Sequence, residues 1–156
     1  LVRPGDVCLD LGCGYGYFTI PMARLVGSSG EVTAADVQPE MLAGVKRRAR
    51  QYGVLDQIHL LAVDVSGIHL EKAFDFALAF WMLHEVPDQH VMLGQISSSL
   101  KPGGRFLLVE PRGHVSATAF SRTAGIAEKV GFSKAAEPRI SFSRAVLLTA
   151  GGGRAT

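Results

Sequence analysis

Apolar positions along this chain fall into short blocks of strand length separated by longer stretches of helical spacing. Val7–Leu11 is a block of five residues, apolar except for Asp10. Residues 31–37, residues 58–63 and Phe74–Phe80 repeat the pattern, each bounded by Gly, Pro or Asp turn chemistry or by a charged residue. The block Phe-Asp-Phe-Ala-Leu-Ala-Phe at 74–80 is nearly continuous, which suits a central parallel strand covered on both faces. Between the blocks the period changes. Residues 17–26 carry Phe18, Met22, Leu25 and Val26 at helical spacing, and Gly27 closes the stretch. Pro21 fits only near a first turn, so this helix is expected to start at Tyr17 or Phe18. Pro39 opens a second helix with Leu42, Val45, Ala49 and Tyr52 on one face, ended by Gly53.

The second half continues the alternation. Pro87-Asp88 starts a helix with Met92, Leu93, Ile96 and Leu100 inward, and Asp88 is its expected N-cap. Lys101-Pro102-Gly103-Gly104 reads as a tight turn leading into a strand over 105–109. Ser116 caps a helix bearing Phe120, Ala124, Ala127 and Val130, and Gly131 closes it. Two last strands are expected at 135–140 and 143–149, with residues 151–156 a frayed tail. Strands alternating with helices predict an α/β fold, a doubly wound and mostly parallel sheet with helices on both faces. No repeat or low-complexity linker interrupts residues 1–150, which read as one domain.

Composition narrows the picture only slightly. Apolar residues make up 47% and charged residues 19% of the 156, as in a globular protein with one core. The formal charge of +2 and the pI of about 8.7 do not argue for a nucleic-acid surface. The densest basic cluster, Lys46-Arg47-Arg48-Ala49-Arg50, sits late in a helix, where cations complement the dipole. Cys8 and Cys13 have no C-x-x-C or histidine pairing. A disulfide framework or metal site is therefore not expected, and a reducing cytoplasm is the simpler reading. No apolar run is long enough to span a bilayer.

The chemistry concentrates behind the first strand, where Asp10-Leu11-Gly12-Cys13-Gly14-Tyr15-Gly16 puts glycine at every second position. Glycine permits φ > 0 and lets the backbone approach a ligand closely. A buried strand feeding such a loop and then a helix is the start of a nucleotide-type site. Tyr17 stands where a dinucleotide-binding G-x-G-x-x-G would place its third glycine. Asp36 ends the second strand, where α/β cofactor folds grip a ribose through one carboxylate; the alternative role is capping the following helix. Asp64 follows the third strand, either as a ligand-facing acid or as a loop residue in solvent.

These segments resemble class I S-adenosylmethionine-dependent methyltransferases, whose first motif is D/E-x-G-x-G-x-G. The likeness continues through Asp36-Val37-Gln38-Pro39-Glu40 and through Leu100-Lys101-Pro102-Gly103-Gly104-Arg105 to Glu110-Pro111. The resemblance implies a Rossmann-like sheet of seven strands with the last one antiparallel. It implies S-adenosylmethionine as cofactor and S-adenosylhomocysteine as product, with Asp10, Gly12, Cys13, Gly14, Gly16, Asp36, Val37, Asp64, Val65 and Phe80 around it. Asp36 would hold the ribose and Asp64 would approach the adenine amino group. Helices that usually precede strand one in this class are absent from the chain, which implies either residues upstream of Leu1 or an open site.

Strand four is not followed by an N/D-P-P-Y-type tetrapeptide, so the resemblance implies a small-molecule acceptor rather than a nucleic-acid base. His84-Glu85-Val86-Pro87-Asp88 is most similar to the ubiquinone/menaquinone-biosynthesis type. His84, on the loop after strand four, is the candidate general base, with Glu85 to orient it and Glu110 and His114 nearby; its other role is packing the substrate wall. A sulfonium favours aromatic faces, and Tyr15, Tyr17 and Trp81 are candidates for that role or for core packing. A binding module without catalysis and an NAD-linked oxidoreductase are the competing readings. The expected protein is a monomer or homodimer with no membrane span.

Overall fold

The computed structural model describes residues 1–64, 68, 70 and 73–151. Among them, seven strands form one sheet: β1 (Val7–Leu11), β2 (Glu31–Asp36), β3 (Ile58–Ala62), β4 (Phe74–Phe80), β5 (Leu100–Pro111), β6 (Phe132–Ala136) and β7 (Ser143–Ala150). Their order is β3-β2-β1-β4-β5-β7-β6. The first five pair in parallel, and β7 enters antiparallel between β5 and β6.

Four α-helices cover the two faces: α1 (Thr19–Val26), α2 (Pro39–Tyr52), α3 (Gln89–Ser99) and α4 (Ala117–Lys129). The period of two along each strand divides the core between them. Leu9 and Leu11, Ala77 and Ala79, and Phe106 and Leu108 pack with Met92, Leu93 and Ile96 of α3 and Ala127 of α4. Cys8, Phe76 and Leu78 pack on the opposite side with Ile20, Met22, Ala23 and Val26 of α1 and Ala49 of α2. Burying strands on both sides is what makes their sequences apolar without alternation.

Several boundaries differ from expectation. The helix after the glycine loop begins at Thr19, one or two residues later than Phe18 or Tyr17. Pro21 thereby falls within its first turn, and the Thr19 hydroxyl is held by Asp10 rather than by a cap. Asp88 and Ser116 do cap α3 and α4, accepting from Val91 N at 3.0 Å and Ala119 N at 3.1 Å.

The expected tight turn at 101–104 is instead a bulge inside β5. Leu100 pairs with Phe74 and Arg105 with Phe76, so four residues stand opposite Asp75 alone. The penultimate strand runs over Phe132–Ala136 rather than 135–140, because Gly131 at φ +103 turns the chain out of α4 directly into it. Pro138 cannot donate to a ladder, and the following residues connect to β7 without strand structure. The final strand matches its expected place and its antiparallel sense. Of the tail, residues 152–156 lie outside the described residues.

Candidate active site

The carboxyl ends of β1, β2, β3 and β4 open onto a cavity of about 260 Å³. In open α/β sheets this edge, near the point where strand order reverses, is where ligands bind. Gly12, Asp36, Val37 and Asp64 all line it, so four positions singled out from the sequence meet in one place. Val65 lies outside the described residues.

Asp36 sits at the centre of the polar wall. Its Oδ2 accepts from Gly14 N at 2.9 Å and its Oδ1 from Gln38 N at 3.0 Å. One carboxylate therefore fastens the glycine loop to Gln38, the residue before α2, which itself has no side-chain cap hydrogen bond. Each oxygen keeps lone-pair capacity beyond its single backbone donor. Gly12 N and Cys13 N both donate to Ala35 O, at 2.8 and 3.1 Å, which ties the loop to the end of β2 as well. Gly12 is in the left-handed region, φ +68, and a Cβ there would lie 2.8 Å from Cβ and Cγ of Met82. Gly14, at φ +51, has open space where a Cβ would point. The loop requires glycine at 12 for packing and conformation, and at 14 for conformation alone.

Other expected residues lie apart from the cavity. Asp10 is 2% exposed and points back at α1, where its Oδ2 accepts from Thr19 Oγ1 at 2.6 Å. Burial pushes its carboxyl up to about 6, against the lowering effect of the Thr19 hydrogen bonds and with a smaller push from Asp36. Cys13 is buried in the small cluster with Ala34, Leu42 and Val45. Gly16 turns the loop beneath α2, with the Val45 side chain against it. Phe80 stacks on Phe18, with ring centroids 4.4 Å apart, on the α1 side of the sheet. None of these four lines the cavity.

Of the three aromatic candidates, only Trp81 lines it. Tyr17 is 75% exposed, and Tyr15 lies outward over Gly44, so neither packs the core. Trp81 adopts φ +60, a conformation costly for a bulky residue and concentrated at functional sites. Two hydrogen bonds hold it there: Trp81 N donates to Val109 O at 2.8 Å, and Nε1 donates to Ser143 Oγ at 3.0 Å. The rest of the wall includes Met82, Glu85, Val86 and Met92, none of which the sequence marked as cofactor-facing. Met82, Glu85 and Val86 follow the carboxyl end of β4 directly, the one cue available beforehand.

His84 lies in the short 3₁₀ turn Leu83–Glu85 and does not line the cavity. Its orienting partner is Glu110 rather than Glu85. Glu110 Oε2 meets Nδ1 at 2.5 Å, and Oε1 accepts from His84 N at 3.0 Å. Glu85 stays 4.0 Å from Nε2 on a largely exposed side chain. Glu110 itself is 2% exposed, and burial pushes its carboxyl upward although the His84 ring and backbone donors oppose that. The His114 ring is 6.0 Å from that of His84. This clamp fixes the imidazole by one nitrogen and its own backbone, and leaves Nε2 as the nitrogen available to a ligand.

Comparison with known proteins gives the family and the fold. The chain is 36% identical over 110 residues to the ubiquinone/menaquinone biosynthesis C-methyltransferase UbiE of Pasteurella multocida, covering 70% of this chain and 41% of that protein. It is 34% identical to the demethylmenaquinone methyltransferase of Bacillus cytotoxicus, over 70% of this chain and 46% of the relative. The chain thus spans less than half the length of these curated relatives. Among solved structures, a SAM-dependent methyltransferase from Aquifex aeolicus superposes with a TM-score of 0.85 at 19% identity, over 96% of this chain and 85% of that one, which is a likeness of fold. Residues 8–104, from the first strand into the β5 bulge, match the family model described as methyltransferase domain, and the chain belongs to that family.

Proposed function

We propose that this chain is the catalytic domain of an S-adenosylmethionine-dependent methyltransferase acting on a small molecule. The observation that carries the reading is the convergence of Gly12, Asp36 and Asp64 on one apolar-walled cavity at the carboxyl edge of the sheet. The donor set suits that cofactor. Asp36 has acceptor capacity for two ribose hydroxyls, Leu11 and Val63 offer an apolar slot for a purine, and Asp64 can accept from an exocyclic amine.

When bound, the cofactor supplies a methyl group already activated by a sulfonium, so the protein's work is to bind, orient and exclude water. The glycine loop and Asp36 fix one end. Trp81 and Met82 wall the side toward the acceptor and offer an aromatic face and a soft apolar one. His84, held by Glu110, is the base for an acceptor that must lose a proton, with Nε2 taking it and the buried carboxylate steadying the charged ring.

The name of one relative, a C-methyltransferase, suggests carbon as the methylated atom, and the absence of an N/D-P-P-Y segment supports a metabolite over a nucleic-acid base. Free, buried Cys8 and Cys13 favour a reducing cytoplasm. Among the described residues no helix is long and apolar enough to cross a membrane. A monomer or homodimer is the expected state.

Calorimetry with S-adenosylmethionine and S-adenosylhomocysteine tests the reading. Asp36→Ala is expected to weaken both by roughly 1.5–3 kcal/mol, the scale of a lost charge-assisted hydrogen bond. His84→Asn is expected to lower kcat while leaving cofactor affinity intact. Tight NADH binding without S-adenosylmethionine affinity would reverse the assignment.

A further inference from the structure

Next to the cofactor cavity is a second one, of about 320 Å³, walled by arginine. Arg112 reaches it from the residue after β5, Arg139 from the β6–β7 connection, and Arg144 from β7 itself. Phe120 of α4 supplies an apolar side. One carboxylate also borders it, that of Glu137, and it is ion-paired with Lys134. Three guanidinium groups against one neutralised acid give the cavity a net positive lining.

One of the arginines has its side chain held in place, and the ladder sets the face of another. Arg112 Nε donates to Ser143 O at 2.9 Å, which leaves the outer nitrogens of its fork for something else. Arg144 pairs across the ladder with Glu110, so both side chains stand on the α3 and α4 side of the sheet. Its Nη1 is buried and has no hydrogen-bond acceptor among the described residues. An oxyanion is the group a guanidinium fork fits best.

Ser143 joins the two cavities. Its backbone oxygen holds Arg112 and its hydroxyl holds Trp81, the residue at φ +60 that walls the cofactor cavity. A ligand in the arginine cavity is therefore one residue away from the cofactor side. We propose that this cavity is the anion-recognition half of the acceptor site, taking the carboxylate or phosphate of a small acceptor whose reacting atom extends past Trp81. The proposal rests on the methyltransferase reading above and deepens it from any small molecule to an anionic one.

Trp81 is the only tryptophan of the chain, so its emission reports on this wall directly. The intact protein is titrated at constant ionic strength with inorganic phosphate and, separately, with benzoate. A saturable change in emission is expected with at least one, and the stronger of the two tells phosphate from carboxylate recognition. Arg144→Gln and Arg112→Gln are expected to weaken it tenfold or more, and Arg144→Lys, which keeps charge but loses the fork, by less. Should Arg144→Gln fail to fold, Arg139→Gln on an exposed residue gives the same readout. Arg47→Gln on the outer face of α2 is the control and should change nothing.

Calorimetry with S-adenosylmethionine on the same variants is expected to match the unaltered protein. A protein that binds S-adenosylmethionine but gives no saturable anion response, or responds equally in every arginine variant, overturns this proposal alone. One that binds phosphate but not S-adenosylmethionine overturns the assignment to an acceptor together with the reading it rests on.

Discussion

Asp10 turns its carboxylate onto the Thr19 hydroxyl, and burial holds its pKa at about 6. That value lies above the ~3.9 of an unfolded aspartate, so the native state binds this proton more tightly. The contribution to stability is fully present below about pH 4 and is lost as pH rises through about 6. Urea melts of the protein and of Asp10→Asn, compared between pH 4 and pH 7.5, should show the unaltered protein losing on the order of 2–3 kcal/mol relative to the variant. A constant difference across that range would refute the assignment. At Gly12 two penalties combine, a left-handed φ of +68 and the Met82 side chain 2.8 Å from any added Cβ. Gly12→Ala should destabilise by about 2–4 kcal/mol. Adding Met82→Ala should recover the steric part but not the conformational part, as thermal melts of the pair can decide.

The bulge in β5 shows how one element ties three others together. Asp75 on β4 accepts from Val7 N of β1 at 2.9 Å and from Lys101 Nζ of the bulge, at 2.8 Å to each oxygen. Its carboxyl titrates below the usual range. Burial works against that shift, and the Lys101 and Val7 hydrogen bonds outweigh it. Both side chains are partly in water, so Lys101→Met should cost under about 1 kcal/mol. Asp75→Ala should cost more, about 1–2 kcal/mol, because it also strips the acceptor from a strand N–H. For this group the sign is opposite to that of Asp10: its contribution holds above about pH 4 and fades as acid protonates it. Lys-Pro-Gly-Gly carries every local mark of a turn. Only the pairing of Leu100 and Arg105 with neighbouring residues of β4 makes it a bulge.

Both cysteines belong to the packed interior, one on each side of the glycine loop's root. Burial pushes the Cys8 thiol up to about 12 and Cys13 well above its ordinary value, with nearby carboxylates adding to each. A thiolate is the reactive species, so native protein at pH 8 should leave both unlabelled by a thiol reagent. Denaturant should expose the two together, at the midpoint read by circular dichroism; early labelling of Cys13 alone would reveal local opening of the loop.

Much of this architecture was legible in advance. Doubly buried strands, helical spacing, caps at Asp88 and Ser116, and glycines paired with an acid at the end of β2 are local patterns, and local sterics and burial dictate them. Apart from element boundaries at α1 and β6, the places where expectation slipped are contacts across the sheet. The exchange of Glu85 for Glu110 as the partner of His84 depends on β5 lying beside β4. The left-handed Trp81 depends on Ser143, brought near by a strand that enters antiparallel late in the chain. The arginine cavity gathers residues from three separate segments with no spacing to announce them. Periodicity along the chain therefore determined which elements form and which edge of the sheet carries the glycine loop. The partners of each side chain at that edge were left to the order and direction of the strands, because a chain encodes its neighbours in space only through the packing of the finished sheet.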